Sequence, residues 1–406
     1  MSNYKTIKGG VCSAKGFRAA GVAAGVKYRG RNDVALVVAD EPCSAAAVFT
    51  TNKVAAAPVL YDRAIVKGGK VQAILANSGC ANACTGEQGL KDAKLSALVT
   101  AGELGIDPKH VLVASTGVIG RPLPMDRLLA GMKLAAKSLG RTNAHGLAAE
   151  KAVMTTDTKP KEACVTTTVG GKKVTVGGMS KGSGMIEPNM ATMLGFITTD
   201  AAITPAMLKR ALFLAIAKSF NRLVVDGDES TNDSVFLRAS GKAGNTAITK
   251  AGKDFDAFLE ALEAVCISLA RQMATDGEGA TKFVTVTVKG ARSEKDAARA
   301  TRAVAKSPLA KTSWFGRDPN WGRVLAAVGY SGADVVDMKA EVFYDGVWAF
   351  RRGQVADEAQ LKKLAKVLKK DCFEVVVDLH LGKAESSIYT CDFSLDYVHI
   401  NADYTT

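Results

Sequence analysis

The chain holds only 10 prolines and 25 aromatic residues in 406, and just 4 histidines. No apolar run approaches the roughly 18 residues that a membrane-spanning helix needs, so no membrane partner is expected. The opening Met1-Ser-Asn-Tyr-Lys-Thr-Ile-Lys-Gly-Gly10 lacks the apolar segment of a secretory leader, and a cytoplasmic location is the expectation. The histidines, at 110, 145, 380 and 399, form no H-E-x-x-H or H-x-E group. Eight cysteines are present, yet none form the C-x-x-C pair by which a zinc ribbon or a redox dithiol brings two sulfurs together. Cys80 and Cys84 are separated by three residues with no second pair, so no metal is expected and the thiols read as buried and free. With 47% hydrophobic and 23% charged residues, disorder and a small disulfide scaffold are also excluded.

Charge of one sign is in excess, but unevenly. Lys+Arg exceed Asp+Glu by 53 to 40; up to Ala191 the balance is 25 to 13, and from Thr192 onward 28 to 27. A basic half suits an anionic ligand, but its lysines and arginines are scattered and carry few aromatics among them, which argues against a nucleic-acid groove. At this length two or three domains are expected. Short apolar segments alternate with longer periodic ones, the pattern of a mixed α/β (α+β) protein. Strands are expected at 34–38, 71–76, 111–115, 174–176, 223–225, 283–288 with its Val/Thr alternation, and 373–377. After Asp254 the apolar positions Phe255, Phe258, Leu259, Leu262, Val265, Cys266 and Leu269 step by three and four, which predicts a helix with one buried stripe. Thr204-Pro205 reads as an N-cap and first turn of another, and a more polar helix is expected from about Asp357 to Lys370.

The most unusual stretch runs from Val176 to Asp200, where four glycines and Pro188 break regular structure before the apolar segment Met193 to Ile197. Gly178-Met-Ser-Lys-Gly182 satisfies G-x-S-x-G, the nucleophile elbow. An elbow opens directly into a helix, whereas Gly182, Gly184 and Pro188 follow here. No phosphate-binding glycine loop occurs in this region. The competing reading makes Thr192 the nucleophile. If the Ala191–Thr192 bond is cut, Thr192 gains a free α-amine beside its own hydroxyl. An unperturbed α-amine has a pKa of about 7.7–8.0, so it can serve as general base where histidine is scarce. The residues alone leave an inert threonine equally open.

Lys181-Gly-Ser-Gly-Met-Ile-Glu-Pro-Asn-Met-Ala-Thr-Met-Leu194 resembles the self-cleavage motif of the ornithine acetyltransferase family, the glutamate N-acetyltransferases of arginine biosynthesis. Further segments resemble that family in order along nearly the whole chain: 19–27, Asn77-Ser-Gly-Cys-Ala-Asn-Ala-Cys-Thr-Gly86, Ser115-Thr-Gly-Val-Ile-Gly120, Thr155-Thr-Asp-Thr158, Asp226-Gly-Asp-Glu-Ser-Thr-Asn-Asp233, Asp276-Gly-Glu-Gly-Ala-Thr-Lys282, Asp318-Pro-Asn-Trp-Gly-Arg323 and Asn401-Ala-Asp-Tyr-Thr-Thr406. Cys80 stands where many members carry asparagine.

The resemblance implies the layered sheets and helices of the self-processing ornithine acetyltransferase and DmpA aminopeptidase-like superfamily. It implies cleavage into an α chain, 1–191, and a β chain, 192–406, with about 285–406 a smaller C-terminal α/β domain, assembled as α2β2. Thr192 would take acetyl from N-acetylornithine and pass it to glutamate. Thr116 and Gly117 would stabilise the oxyanion, and Thr155 (or its neighbour Thr156), Lys181, Thr192, Glu278, Asn401 and Thr406 would bind substrate. No cofactor is implied, although some members accept acetyl-CoA as co-substrate while others only recycle acetyl. Within the superfamily the rival is a self-cleaved aminopeptidase; outside it, a binding protein for an anionic ligand. The acids at 226, 228, 229 and 233 look like a metal loop, but the resemblance favours a structural polar turn.

Overall fold

The computed structural model describes residues 3–187 and 193–403. They form two compact units, one of residues 3–221 and 228–273, the other of 222–227 and 274–403. The architecture is mixed α/β, as the alternation of apolar segments suggested.

The first unit is built on a nine-stranded sheet of β1 (Tyr4–Thr6), β2 (Phe17–Val22), β3 (Val34–Phe49), β4 (Lys70–Asn77), β5 (Val111–Ser115), β6 (Lys161–Val169), β7 (Lys172–Lys181), β8 (Leu194–Thr199) and β9 (Ser234–Ala239). Its order is β1-β6-β7-β8-β9-β3-β4-β5, with β2 also paired to β3; β4–β5 and β8–β9 are parallel and the other pairs antiparallel. The helices are α1 (Ala57–Ile65), α2 (Gly86–Leu104), α3 (Met125–Lys137), α4 (Asn143–Val153), α5 (Pro205–Lys218) and α6 (Lys253–Thr275). The central strands read as continuous apolar runs because both faces are covered. Ala35 and Val37 of β3 join a core with Ala149, Ala152 and Val153 of α4, while Leu36 and Val38 join another with Ala93 and Ala97 of α2 and Met132 of α3.

β3 is much longer than the expected 34–38. Asp40-Glu-Pro42 looks like a stop, yet the strand continues beyond it across a bulge and pairs with β9 from Ser44 to Phe49. The β6–β7 hairpin turns on Gly170 and Gly171, with φ of +54° and +73°, the left-handed pair that a two-residue loop of this twist requires. Thr204 and Pro205 open α5 as expected, though the Thr204 hydroxyl donates to the Ile248 carbonyl at 3.4 Å instead of capping the helix. The stripe expected after Asp254 lies on α6, with Phe258, Leu262, Val265, Cys266 and Leu269 fully buried and Leu259 at its edge.

The second unit holds a six-stranded sheet of β10 (Phe283–Ala291), β11 (Glu341–Tyr344), β12 (Val347–Arg351), β13 (Gln354–Val355), β14 (Cys372–Asp378) and β15 (Ala384–Cys391), in the order β13-β12-β11-β14-β10-β15. Around it run α7 (Glu294–Lys306), α8 (Pro308–Phe315), α9 (Trp321–Tyr330), α10 (Glu358–Val367) and α11 (Leu395–Asp403). Here Val284, Val286 and Val288 face a core with Ala297, Ala300 and Val304 of α7, while Thr285 and Thr287 stay half-exposed, so the Val/Thr alternation marks a sheet covered on one face. The strand expected at 223–225 is only a single bridge, Leu223 to Tyr389, because the segment follows a 3-10 turn at Phe220–Arg222 and meets a polar loop at once. Among the described residues no helix is long and apolar enough to cross a membrane.

Candidate functional site

The expected site residues at 191, 192 and 406 lie outside the described residues. Residues 188–192 are flanked by two strands of the larger sheet. β7 and β8 pair antiparallel with Lys181 opposite Leu194, and the Met193 carbonyl accepts the Ser234 N–H at 2.8 Å. The ends of β7 and β8 that flank this segment are therefore paired with each other inside the sheet. Ser180 of the G-x-S-x-G pattern sits inside β7, fully buried, with its hydroxyl unpartnered, and no helix follows. That geometry is incompatible with a nucleophile elbow.

Thr116 and Gly117 follow β5 directly, and the turn they form is held from three sides. The Thr116 N–H donates to the Asn77 carbonyl at 3.0 Å. The buried Asn77 amide donates to the Cys80 carbonyl at 2.9 Å and accepts from the Ser115 hydroxyl at 2.7 Å. Asn232 spans the same two segments, donating to the Ala81 carbonyl at 2.6 Å and the Ser115 carbonyl at 2.8 Å. Cys80 bridges to both Thr116 and Val118, and its thiol donates to the Arg121 carbonyl at 3.1 Å. Gly117 has φ +126°, and a Cβ there would lie 2.4 Å from the Gly79 carbonyl carbon, so only glycine fits. Because the Thr116 N–H is already bonded, the donors this turn can offer a ligand are the Thr116 hydroxyl and the Gly117 N–H.

The Lys181 ammonium donates to that hydroxyl, Nζ to Thr116 Oγ1 at 3.3 Å. Lys181 is 9% exposed and acts on two buried carboxyl groups. Asp157 accepts the Lys161 ammonium at 2.7 Å and the Gly182 N–H at 2.7 Å on Oδ1, and the Thr155 N–H at 3.0 Å on Oδ2. Burial works against its charge, but Lys181 and Lys161 prevail and hold it at about 2. At Asp233 burial prevails instead, raising the carboxyl well above its usual range against the pull of Lys181 and the Met193 N–H. The two carboxyl groups beside Lys181 are thus pushed in opposite directions, Asp157 down by the two ammoniums and Asp233 up by burial.

Thr155 lies half-buried at the edge of this cluster, and its carbonyl accepts from Arg31 at 3.4 Å. In the second unit, Glu278 is buried and its Oε2 accepts the Asn401 amide at 2.8 Å. Asn401 also donates to the Tyr397 carbonyl at 2.9 Å, so the end of the chain is helical and tied as far as α11 extends. The structure thus joins Thr116 to Lys181 and Glu278 to Asn401, and links Thr155 to Lys181 through Asp157. Among the described residues no cluster of histidine, cysteine, aspartate or glutamate can hold a metal, and the Asp226–Asp233 segment is a polar turn in which Asn232 serves the Ser115 carbonyl.

Asp157, Asn77 and Asn232 were not singled out from sequence. Each stands inside a quoted segment, Thr155-Thr-Asp-Thr158, Asn77-Ser-Gly-Cys80 or Ser230-Thr-Asn-Asp233, and short polar residues next to glycine or threonine were the available signal.

The ArgJ family model matches residues 18–406. The chain belongs to the ArgJ family. A member from Geobacter sulfurreducens named "Arginine biosynthesis bifunctional protein ArgJ" is 50% identical over 97% of this chain and 100% of its own length. One from Methanocaldococcus jannaschii named "Glutamate N-acetyltransferase" is 46% identical over 99% of this chain and 100% of its own. Among solved structures, a chain of ornithine acetyltransferase complexed with ornithine from Mycobacterium tuberculosis is 41% identical over 46% of this chain and 100% of that one, with a TM-score of 0.44. The matched residues thus cover every segment on which the motif resemblance rests.

Proposed function

We propose that the chain is a glutamate N-acetyltransferase of arginine biosynthesis, moving acetyl from N-acetylornithine to glutamate by ping-pong catalysis through acetyl-Thr192 after cutting its own Ala191–Thr192 bond. The observation that carries this reading is the joining of Thr116, Gly117 and Lys181 at the strand end where the cleavage motif begins, in a chain of the ArgJ family. The Thr192 hydroxyl attacks the acetyl carbonyl of N-acetylornithine while the α-amine takes its proton. The Thr116 hydroxyl and Gly117 N–H bind the oxyanion of the tetrahedral intermediate. When that intermediate collapses, the C–N bond breaks, the ornithine nitrogen takes the proton from the α-ammonium, and acetyl remains on Thr192 as an ester. The amine of glutamate then attacks the ester, and the Thr192 hydroxyl is restored.

Roles for the remaining residues follow from charge. Lys181 suits the substrate carboxylate, with Thr155 beside it, and Glu278 with Asn401 suits the side-chain ammonium of ornithine; Thr406 completes the assignment. No cofactor is required by this chemistry. Acetyl-CoA belongs to the proposal as a second donor, supported by the bifunctional name of the Geobacter sulfurreducens relative. The α and β chains are proposed to assemble as α2β2 in the cytoplasm, with 192–406 carrying the smaller C-terminal domain.

Intact mass under denaturing conditions tests the reading. Two chains of about 20 and 22 kDa from 42.4 kDa are expected, with Thr192→Ala left whole. N-acetylornithine then adds about 42 Da to the heavier chain, and acetyl-CoA does the same if it is a donor. A single uncut chain with full acetyl-transfer activity overturns the threonine mechanism.

A further inference from the structure

Asp157 lies in a segment the proposed reaction uses only through its neighbour Thr155, yet it is the most heavily engaged carboxylate near Lys181. It is fully buried, and both of its oxygens accept from N–H donors: Oδ2 from Thr155, Oδ1 from Gly182 and from the Lys161 ammonium. Thr155 and Gly182 belong to segments that reach this point from different directions. Thr155 comes from the turn after α4, and Gly182 is the first residue beyond β7, next to Lys181. One rigid side chain therefore fixes two backbone positions, each adjacent to or part of the proposed substrate set, and places a negative charge against the ammonium between them.

We propose that Asp157 is a positioning residue for acetyl transfer, setting Thr155 and Lys181 where the substrate carboxylate is received and fixing the point at which β7 gives way to the cleavage loop. This rests on the reading of Thr155 and Lys181 as substrate residues. An ionised Asp157 is required by the hydrogen bonds themselves, because every contact it makes is to a donor. An asparagine in its place turns its NH2 toward an N–H or an ammonium whichever way the amide is flipped. A neutral side chain also leaves Lys181 and Lys161 close together without the negative charge that both now face. Lys181 would then be drawn away from Thr116 toward other partners, which weakens ground-state binding of an anionic substrate group more than it changes the reacting atoms.

The bland alternative is that Asp157 only neutralises the buried Lys161. Three variants separate the two: Asp157→Asn, Lys161→Met, and the double variant. Self-cleavage is read by intact mass, kcat and KM for N-acetylornithine on the cleaved enzyme, and folding by thermal melting. Asp157→Asn is expected to slow self-cleavage and raise KM about ten-fold, with a smaller change in kcat. Lys161→Met removes one of the two ammoniums that hold Asp157 ionised and lowers the melting temperature, but Lys181 remains, so KM rises less than with Asp157→Asn. In the double variant neither charge of the pair is left unpaired, so the melting temperature rises above that of either single variant while KM stays raised, and this variant carries the test if Asp157→Asn fails to fold. Recovery of wild-type KM and cleavage in the double variant overturns the inference, as does wild-type behaviour of Asp157→Asn. A wild-type protein that neither cuts itself nor transfers acetyl overturns the functional reading instead, which the wild-type control reports separately.

Discussion

The two units bury charge differently. In the first, charged groups near the end of β7 face one another: Asp157 with Lys161 and Lys181, and Lys181 in turn with Asp233. In the second, the buried charges near Glu278 mainly hold backbone. Asp392 accepts the Thr281 and Lys282 N–H groups at 2.8 Å each and the Thr281 hydroxyl at 2.5 Å. Lys282 donates to the Lys370 carbonyl at 3.0 Å, and Lys311 to the Thr390 hydroxyl at 2.8 Å and the Cys391 carbonyl. The Ser394 hydroxyl donates to the Gly279 carbonyl at 2.6 Å, closing the loop beside Glu278. Charges aimed at charges set protonation states, whereas charges aimed at peptide groups set shape. The first arrangement couples charges to one another around Asp157, and the second braces the loop that carries Glu278.

Three substitutions sharpen that contrast, and the largest effect falls in the first unit. Thr116→Val removes one of the two proposed oxyanion donors and is expected to lower kcat about 10²–10³-fold. Its melting temperature should match wild type, since a half-buried turn hydroxyl adds little to folding; a stability loss equal to the rate loss would erase the distinction. Asp392→Asn comes next and reverses the pattern. Its amide oxygen can keep both N–H groups if its NH2 turns toward the Thr281 hydroxyl, which must then accept, so the loss is that of the charge assistance, about 1 kcal/mol in chemical denaturation. The rate of the folded enzyme should fall far less than with Thr116→Val.

The smallest effect concerns Glu150, again in the first unit, whose Oε1 accepts the Lys161 N–H at 2.8 Å. Burial, opposed by that N–H, raises its carboxyl from 4.5 to about 8. The folded chain therefore keeps a proton that the unfolded chain has released. The resulting stability is fully present below about 4.5 and is lost as pH rises through about 8. In that window stability declines by at most about 1.4 kcal/mol per pH unit. Glu150→Gln should flatten this part of the melting profile; an unchanged slope would mean that Glu150 is ionised in the folded chain and that the first unit is less tuned than its geometry implies.

Legibility from sequence followed the range of the forces involved. β5 was readable to the residue because four apolar residues and Ser115 follow a turn that ends at His110 and stop before Thr116-Gly117. α6 was readable because its stripe repeats over many turns. The length of β3 was hidden, since its second half exists only by pairing with β9, from far along the chain. Glu278 and Asn401 were reachable through family resemblance alone, and their hydrogen bond spans 123 residues. Asp157 was hidden for a related reason: nothing in Thr-Thr-Asp-Thr tells that its carboxylate meets Gly182, which is brought there by the β6–β7 hairpin.

The strand order of the larger sheet carries one more consequence. β8 and β9 come after residues 188–192 in the chain, yet they lie between β7 and β3, both of which come before them. A cut at 191–192 would leave the later fragment inserted between two strands of the earlier one, hydrogen-bonded along both edges. The two pieces could not drift apart without tearing the sheet at two seams. Gel filtration or a native gel would therefore register no change, and separate expression of the two fragments would have to rebuild both seams at once, an assembly far slower than closing them within one continuous chain.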